Sequence, residues 1–484
     1  MKILLANMPW RTKDRLGVRA GVRWPFTMPK EHSKQEVPGY LPFPFMLSQA
    51  AALLKKDSFE VSLIDAIAEG SSNEKFVKQV VDFSPDVFVV ETSTPSFDND
   101  VTITKAIKSF LPRAKVVFVG SHVTTFPDET LRNNPVIDFV ILSEFEFVLE
   151  ELAFALSGSR RFKDIKGIVW RNGQDIVNNG KAELVDVNLI PWPAREFLPM
   201  YRYADLFHKD IPKPELQMLA SRGCPFGCVF CLYPDVMFQG KSYRVRDADD
   251  IMRELQFCVD KYGFKSFYFD DDTFNLNKKH TINICNKIKE YGINLPWLAM
   301  CRADTVDEEM VKAMVDSGLV AIKFGVESGV QSVVTASGKN LDLSKVKQSV
   351  KWFQDAGVRV HCTFTIGLPT ETFADIEKTI DFAIELDPDS AQFSINTPFP
   401  GTKYYNILDK EDFILTKDWS KYDGSCSSVI RTENLSAEDL ERGKILAQKK
   451  WDRHLAKKKM FQPAYIKEAF KNPRHYAKRV RELI

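Results

Sequence analysis

Residues 222 to 231 read Arg222-Gly223-Cys224-Pro225-Phe226-Gly227-Cys228-Val229-Phe230-Cys231. Three cysteines stand within eight residues of this run, and thiolates are soft ligands that suit an iron–sulfur cluster or zinc. A closed site of either kind takes four protein ligands, and no fourth cysteine or histidine lies nearby in the sequence. A [4Fe–4S] cluster held by three cysteines leaves one iron open for chemistry. The spacing therefore predicts a cluster, while a zinc site or three unrelated buried cysteines remain alternatives.

The cysteine run belongs to a region, from about residue 215 to residue 400, that alternates strand-like and helical patterns. Six strands are predicted there: Leu216–Ala220, Ser266–Phe269, Trp297–Cys301, Ala321–Phe324, Val358–Thr365 and Ser390–Asn396. They predict an open, partial (β/α)6 barrel, whose active residues lie at the carboxyl ends of the strands. Because the cysteine run directly follows the first strand, we expect it at the mouth of the barrel.

The first 155 residues alternate strands and helices in the same way. The predicted strands are Lys2–Ala6, Glu60–Ile64, Val87–Glu91, Lys115–Val119 and Phe139–Leu142. The predicted helices include Met46–Lys55, Lys75–Phe83, Val101–Phe110 and Phe145–Leu156. This order predicts a flavodoxin-like, doubly wound α/β domain, which binds ligands at the carboxyl ends of its strands.

One loop at such a strand end is long and basic. It runs from about Asn7 to Phe45 and contains Arg11, Lys13, Arg15, Arg19 and Arg23. A long unstructured connection is usually functional or disordered, and its place at a strand's carboxyl end favours a functional loop.

We divide the chain into a first domain at 1–155, a connector at 156–205, a barrel at 206–404 and a helical, basic C-terminal region at 405–484. The connector contains an Asn172-Gly173 pair, which predicts a hairpin turn.

Bulk composition excludes several classes of protein. A net charge of +1 over 484 residues argues against a dedicated nucleic-acid binder. No run approaches the length of about 18 apolar residues that spans a bilayer, and the N-terminal apolar stretch is too short for a signal peptide. The other five cysteines are scattered, as in proteins of a reducing compartment. We therefore expect a cytoplasmic protein.

Polar groups follow the other predicted barrel strands. Asp270, Asp271 and Asp272 end the second strand, and Arg302 follows the third. The remaining two groups are Glu327-Ser328 after the fourth strand and Gly367 after the fifth. Carboxylates can accept hydrogen bonds from a ribose or an ammonium, and Arg302 can grip a carboxylate. Solvated surface or a helix cap would explain Asp270 alone equally well.

Together, the cysteine run, Asp271-Asp272-Thr273-Phe274, Gly325-Val326-Glu327-Ser328 and Gly367-Leu368-Pro369-Thr370-Glu371-Thr372 resemble the radical S-adenosylmethionine (SAM) superfamily. The resemblance implies that Cys224, Cys228 and Cys231 hold a [4Fe–4S] cluster whose open iron binds SAM. It also implies that the following residues contact SAM: Phe230, Asp271, Asp272, Arg302, Glu327, Ser328 and Gly367.

The whole chain resembles the branch of that superfamily with an N-terminal cobalamin-binding domain. In such relatives the cobalamin tail passes the loops after strands three and four, here Thr92-Ser93-Thr94 and Gly120-Ser121-His122. Many also carry an Asp-x-His-x-x-Gly motif whose histidine binds cobalt, whereas the long loop of this chain offers only His32. Cobalt ligation by histidine is therefore in doubt. A cofactor-free domain, with His122 merely packed in a loop, is the alternative.

The resemblance implies a C-methyltransferase that uses a 5′-deoxyadenosyl radical and methylcobalamin. A cyclase or oxidoreductase of the same architecture is the second hypothesis, and a non-catalytic metal-binding protein is the third. We expect a small-molecule, lipid or peptide substrate, an electron donor such as a flavodoxin or ferredoxin, and no nucleic acid. The basic runs Lys457-Lys458-Lys459 and Lys478-Arg479-Val480-Arg481 leave contact with acidic lipid open, although a solvated helix face also explains them.

Overall fold

Two large sheets, of seven and six strands, form the frame of the protein. The computed structural model describes residues 1–18, 25–30, 39–205, 211–424 and 427–460. Arg19, Arg23, His32 and the basic run at 478–481 lie outside the described residues, and so does the side chain of Lys459.

The first sheet has the predicted strand order. The described strands before residue 180 are β1 (Lys2–Asn7), β2 (Arg15–Val18), β3 (Phe26–Pro29), β4 (Glu60–Asp65), β5 (Val87–Glu91), β6 (Lys115–Val119), β7 (Phe139–Ile141), β8 (Ile168–Asn172) and β9 (Asp175–Asn178). The helices are α1 (Phe45–Lys56), α2 (Asn73–Phe83), α3 (Phe97–Phe110), α4 (Ser121–Thr125), α5 (Pro127–Asn133) and α6 (Glu146–Leu156). The parallel order β4-β1-β5-β6-β7 is that of flavodoxin-like domains, which confirms the prediction.

Alternating side chains explain why helices cover both faces of this sheet. In β1, Ile3 and Leu5 join the core beneath α1 and α6, whereas Leu4 and Ala6 join the core beneath α2 and α3. Every residue of β5 is buried. Such continuous burial is typical of parallel strands between two helical layers.

Two hairpins add to the predicted domain. The long connection before α1 is not wholly unstructured, because β2 and β3 pair there in antiparallel fashion. Trp10 lies over Gly17 of this hairpin, where a Cβ would meet Trp10 Cε3 at 2.2 Å. β8 and β9 flank the predicted Asn172-Gly173 turn, but β8 also pairs with β7 and so extends the first sheet.

The second sheet is the predicted partial barrel. Its region contains β10 (Glu215–Met218), β11 (Ser221–Arg222), β12 (Arg244–Val245), β13 (Ser266–Phe269), β14 (Trp297–Cys301), β15 (Leu319–Glu327), β16 (Arg359–Ile366) and β17 (Ser390–Ile395). The helices are α7 (Ala248–Tyr262), α8 (Lys278–Glu290), α9 (Glu308–Asp316), α10 (Gln331–Ala336), α11 (Leu343–Asp355), α12 (Phe373–Leu386), α13 (Lys403–Lys410) and α14 (Ala437–Met460). The six strands β10-β13-β14-β15-β16-β17 are all parallel.

The first domain packs along the barrel's edge strand β10. The Phe43 amide donates to Gln217 Oε1 at 2.6 Å, and Gln217 Nε2 donates to the Leu41 carbonyl oxygen at 3.3 Å. The proline-rich segment before α1 therefore joins the two sheets. Within the described residues, no helix is long and apolar enough to cross a bilayer.

Candidate active site

A cavity of about 550 Å³ lies between the barrel and the first domain. The first domain contributes apolar residues to its wall, and the barrel region adds the aromatic rings of Tyr233, Phe238 and Phe399; the first-domain residues are Phe26, Met28, Tyr40, Phe43, Phe45 and Met46. Its polar wall comes from β16 and β17 and contains His361, Thr363, Thr365, Gln392 and Ser394. Asp272 and Glu327 line it from the strand ends, and Lys444 and Gln448 line it from α14. The cavity is therefore amphipathic, and both domains build it.

The cysteine loop leaves β11 beside this cavity. Gly223 opens the loop with a φ of 87°, and a Cβ there would lie 2.4 Å from the Ser242 carbonyl oxygen. The Gly223 amide donates to Asp272 Oδ2 at 3.0 Å. Further along, the Val229 amide donates to the Ser337 carbonyl oxygen at 2.9 Å. Contacts with the segment after β13 and with the C-terminal end of α10 thus fix the path of the loop.

The three thiols of the loop are close enough to affect one another's ionisation. Burial raises the pKa of Cys231 well above its ordinary value, and Cys228 and Cys224 raise it further. Burial also raises the pKa of Cys228 and Cys224. Among the described residues, no three Cys, His, Asp or Glu side chains converge on a single-ion site. Three neighbouring, largely buried thiols are the kind of ligand set that an iron–sulfur cluster uses.

The acidic run after β13 supports the loop in two ways. Asp272 lines the cavity while it accepts the Gly223 amide. Asp271 is buried and accepts the Ala220 amide at 3.1 and 3.2 Å, together with the Ser221 hydroxyl. Burial raises the pKa of Asp271 to about 7. The geometry gives Asp271 a supporting position beneath the loop, and its predicted contact with SAM stays a prediction.

Arg302 is engaged by protein groups. Its guanidinium donates to both Asp304 oxygens, at 2.6 and 3.0 Å, and lies 3.6 Å from the centroid of the Phe226 ring. Arg302 Nη2 also donates to the Lys339 carbonyl oxygen at 2.7 Å. Both arms of the guanidinium thus contact Asp304, and the predicted contact of Arg302 with SAM stays a prediction. Arg302 holds Phe226, and with it the cysteine loop.

Glu327 presents a carboxylate at the cavity from a left-handed backbone with a φ of 73°. Such a conformation costs a non-glycine residue about 1–3 kcal/mol and is concentrated at functional sites. Its oxygens accept Lys339 Nζ at 2.8 Å and the Thr365 hydroxyl at 2.7 Å. Burial lowers the pKa of Lys339, but its neighbours, first the Glu327 carboxylate and then Cys228, outweigh burial and hold it above its ordinary value. Lys339, which no motif singled out, therefore places a positive charge beside the thiols.

Three other predicted residues lie behind the cavity wall. Phe230 is buried in the core, and the Ser328 hydroxyl lies 3.0 Å from the Thr379 hydroxyl. The Gly367 amide donates to Glu371 Oε2 at 2.6 Å. The described wall of the cavity includes none of Phe230, Ser328 and Gly367. Their cofactor contacts stay predictions.

Asn396 is a cavity residue that the motif analysis missed. It directly follows β17, is 3% exposed and lines the cavity. Neither side-chain amide atom has a hydrogen-bond partner among the described residues. A buried carboxamide without partners is costly, so a ligand with both a donor and an acceptor would satisfy it. Its place at the end of a predicted barrel strand was the available signal.

The loops predicted to hold the cobalamin tail lie together at the carboxyl ends of β5 and β6. They contain Thr92, Ser93, Thr94, Gly120, Ser121 and His122, and all six are buried. Gly120 has a φ of 110°, and a Cβ there would lie 2.3 Å from the Thr92 carbonyl oxygen. The Thr92 hydroxyl donates to Asp100 Oδ2 at 2.7 Å. The described wall of the barrel cavity includes none of the six.

His122 sits in an aromatic box. Its ring centroid lies 4.4 Å from that of Phe97 and 5.4 Å from that of Trp419, and its Nδ1 lies 3.3 Å from Thr94 Oγ1. Burial lowers the pKa of His122 to about 3, so the imidazole is neutral. Trp419, from the C-terminal region, closes this box.

A second unsatisfied carboxamide marks the switch point of the first sheet. Asn7 ends β1 beside β5, is fully buried, and both its amide atoms lack partners in the described part of the chain. Doubly wound sheets bind ligands at this point. Cobalamin carries amide groups around its ring, so the donor and acceptor of Asn7 fit such a ligand.

An ion-pair cluster joins the domains next to the cysteine loop. Arg222 of β11 donates to Glu144 at 2.8 Å, to Glu146 at 2.5 Å and to Gln49 at 2.6 Å. Arg244 of β12 donates to the other Glu144 oxygen at 2.7 Å. Burial raises the pKa of Glu144, but the two arginines outweigh burial and lower it overall. This cluster connects the barrel to the first domain.

Comparisons with known proteins agree with this architecture. The Radical SAM superfamily model matches residues 218–383, and the B12 binding domain model matches residues 36–153. An uncharacterized methyltransferase of Pyrococcus horikoshii is 33% identical over 415 residues, which cover 86% of this chain and 88% of that protein. The anaerobic magnesium-protoporphyrin IX monomethyl ester cyclase of Cereibacter sphaeroides is 27% identical over 438 residues, which cover 87% of this chain and 68% of that protein.

A solved structure shares the fold. The radical SAM methyltransferase TsrM from Kitasatospora setae, with cobalamin and a [4Fe–4S] cluster bound, aligns with a TM-score of 0.64 and 19% identity over 85% of this chain and 75% of that one. The B12 binding domain implies cobalamin, and the Radical SAM domain implies a [4Fe–4S] cluster and SAM. With both domains in this order, and a relative 33% identical over most of both chains, the chain belongs to the cobalamin-dependent radical SAM enzymes.

Proposed function

We propose that this enzyme methylates an unactivated carbon of a small molecule by radical chemistry. The observation that carries the proposal is the amphipathic cavity, because one wall comes from the cobalamin-type domain and the other from the barrel. The cysteine loop lies at the barrel mouth, where Asp272 joins it to the cavity. A carbon held there would face both halves of the machinery.

When bound, the cluster, SAM and cobalamin supply the radical-generating and methyl-carrying chemistry. Cys224, Cys228 and Cys231 would hold the cluster. Asp272, Glu327 and Asn396 line the cavity and would receive the polar parts of SAM. The aromatic side chains of the wall would help to keep water from a reactive radical once the cofactors and substrate fill the cavity.

The cavity favours a substrate with a large apolar part. Phe26, Met28 and Phe45 offer apolar contact on one side, whereas Thr363 and Gln392 offer hydrogen bonds on the other. A small amphipathic molecule matches both walls. A lipid or a peptide side chain would need to present the same two faces.

Anaerobic reconstitution tests the proposal. The protein is loaded with iron, sulfide and hydroxocobalamin, reduced chemically, and given SAM with a deuterated methyl group. Formation of 5′-deoxyadenosine and labelled methylcobalamin is the expected result. Cys228→Ala should abolish cleavage of SAM, while Cys258→Ala, at a buried cysteine on α7, should retain it. Normal cleavage by Cys228→Ala would contradict the assignment.

Product analysis then separates methyl transfer from cyclisation. A methyltransferase moves the deuterated methyl group into the product. A cyclase or other oxidoreductase, the activity of the Cereibacter sphaeroides relative, consumes SAM without that transfer.

A further inference from the structure

The cysteine loop reaches the protein surface at a point with positive charge. Pro225 of the loop is exposed, and Gly227 is half-buried. A Cβ placed on Gly227 would lie 3.6 Å from Lys241 Nζ and 3.8 Å from Lys403 Nζ. Two ammonium groups, from the loop before β12 and from the start of α13, therefore flank the exposed backbone of the loop.

Neither ammonium group is neutralised by a tight ion pair. Lys241 and Lys403 are both exposed, and in the described chain no carboxylate forms an ion pair with either. Both lysines lower the pKa of the Asp235 carboxyl, but burial outweighs them and raises that pKa overall. Many other exposed lysines, such as Lys312 and Lys351, pair with an aspartate four residues away. The two charges beside the loop remain available to an acidic surface.

Apolar surface adjoins these charges. Ile407 lies one turn after Lys403 on α13 and is 49% exposed. Residues four apart share a helix face, so Ile407 and Lys403 project together. The Tyr404 amide donates to the Val229 carbonyl oxygen at 2.8 Å, which fixes α13 against the cysteine loop.

We propose that Pro225, Gly227, Lys241, Lys403 and Ile407 form a docking face for a small acidic one-electron carrier protein. This inference rests on the proposed function, because a cluster that starts radical chemistry needs an external reductant. Complementary charge accelerates and orients transient encounters, and redox complexes use small interfaces. At each encounter the carrier loses one electron and the cluster gains one, with no bond made or broken at the surface.

Charge reversal at the docking face tests the proposal. A double variant, Lys241→Glu with Lys403→Glu, is compared with a control double variant, Lys312→Glu with Lys351→Glu. Binding of a recombinant acidic flavodoxin to each reconstituted protein is measured by fluorescence anisotropy. We expect the docking-face variant to bind about tenfold or more weakly than wild type. The control should bind as wild type does, and the difference should shrink in 0.5 M salt as screening increases.

A second readout separates docking from damage to the site. Formation of 5′-deoxyadenosine is measured with reduced flavodoxin and, in parallel, with dithionite. The docking-face variant should lose activity only with flavodoxin. Equal losses with both reductants, or unchanged flavodoxin affinity, would overturn the docking face. If wild type cleaves SAM with neither reductant, the proposed function fails, and the binding measurement still decides the docking face.

Discussion

The ion-pair cluster between the domains predicts a large loss of stability when Arg222 is replaced by methionine. The substitution removes the cation that Glu144 and Glu146 share. Glu144 keeps Arg244 at 2.7 Å, but Glu146 has no second cation in the described chain. Both carboxylates are buried. Breaking a buried pair by removing one partner costs about 3–5 kcal/mol, because the other charge stays uncompensated.

Urea unfolding at neutral pH, followed by tryptophan fluorescence and circular dichroism, measures this loss. A two-domain chain can unfold in steps, so both probes are needed. Glu146→Gln in the Arg222→Met background removes the uncompensated charge and should restore at least about 1 kcal/mol. Arg253→Met, at an exposed pair with Asp250, is the control and should change stability by about 1 kcal/mol or less. If Arg222→Met stays within that range, or if the second substitution restores nothing, the electrostatic reasoning fails.

Three further predictions concern single groups. Burial raises the pKa of Glu371 from 4.5 to about 8, so its stabilising contribution is present below about pH 4.5 and is lost as pH rises to 8. Glu371→Gln should therefore reduce the difference in unfolding free energy between pH 5 and pH 8, and an unchanged difference would contradict this role of Glu371. Asn396→Ala should change stability by no more than about 1 kcal/mol, since its amide has no partner among the described residues. It should nevertheless weaken binding of SAM or substrate about tenfold by calorimetry, and unchanged binding would exclude a ligand role. The electron paramagnetic resonance spectrum of bound cob(II)alamin should show no splitting from a protein nitrogen, either in wild type or in His122→Ala. A splitting that is present in wild type and lost in the variant would show that His122 binds cobalt.

The sequence predicted the strands well because their burial pattern is local. β5 consists of Val87-Phe88-Val89-Val90-Glu91, and an apolar β-branched run of this kind has few other stable placements. The β2–β3 hairpin was not predicted. Trp10 packs over Gly17 of this hairpin, and that contact exists only once the chain has folded back.

Roles of charged residues were harder to predict than their positions. Arg302 was expected at the third strand end and is found there, but Asp304, two residues later, takes both arms of its guanidinium. Asp271 accepts the Ala220 amide, a contact that its place after the second strand did not indicate, and its contact with SAM stays a prediction. The hydrogen-bond partner of such a side chain depends on the angles between neighbouring strands, and these angles cannot be read from the spacing of residues in the sequence. Lys339 was missed because it joins Glu327 across a helix and a loop.

The residues that line this cavity lie both inside and outside the two matched regions of the chain. Asp272, Glu327 and Thr365 lie within the matched Radical SAM region, residues 218–383. Phe26 and Lys444 line the same cavity but lie outside both matched regions. The hydrogen bonds from the Thr27 amide and hydroxyl to Asp423 join these outer segments to each other. Because these two segments line the cavity from outside the matched regions, we infer that they select the substrate.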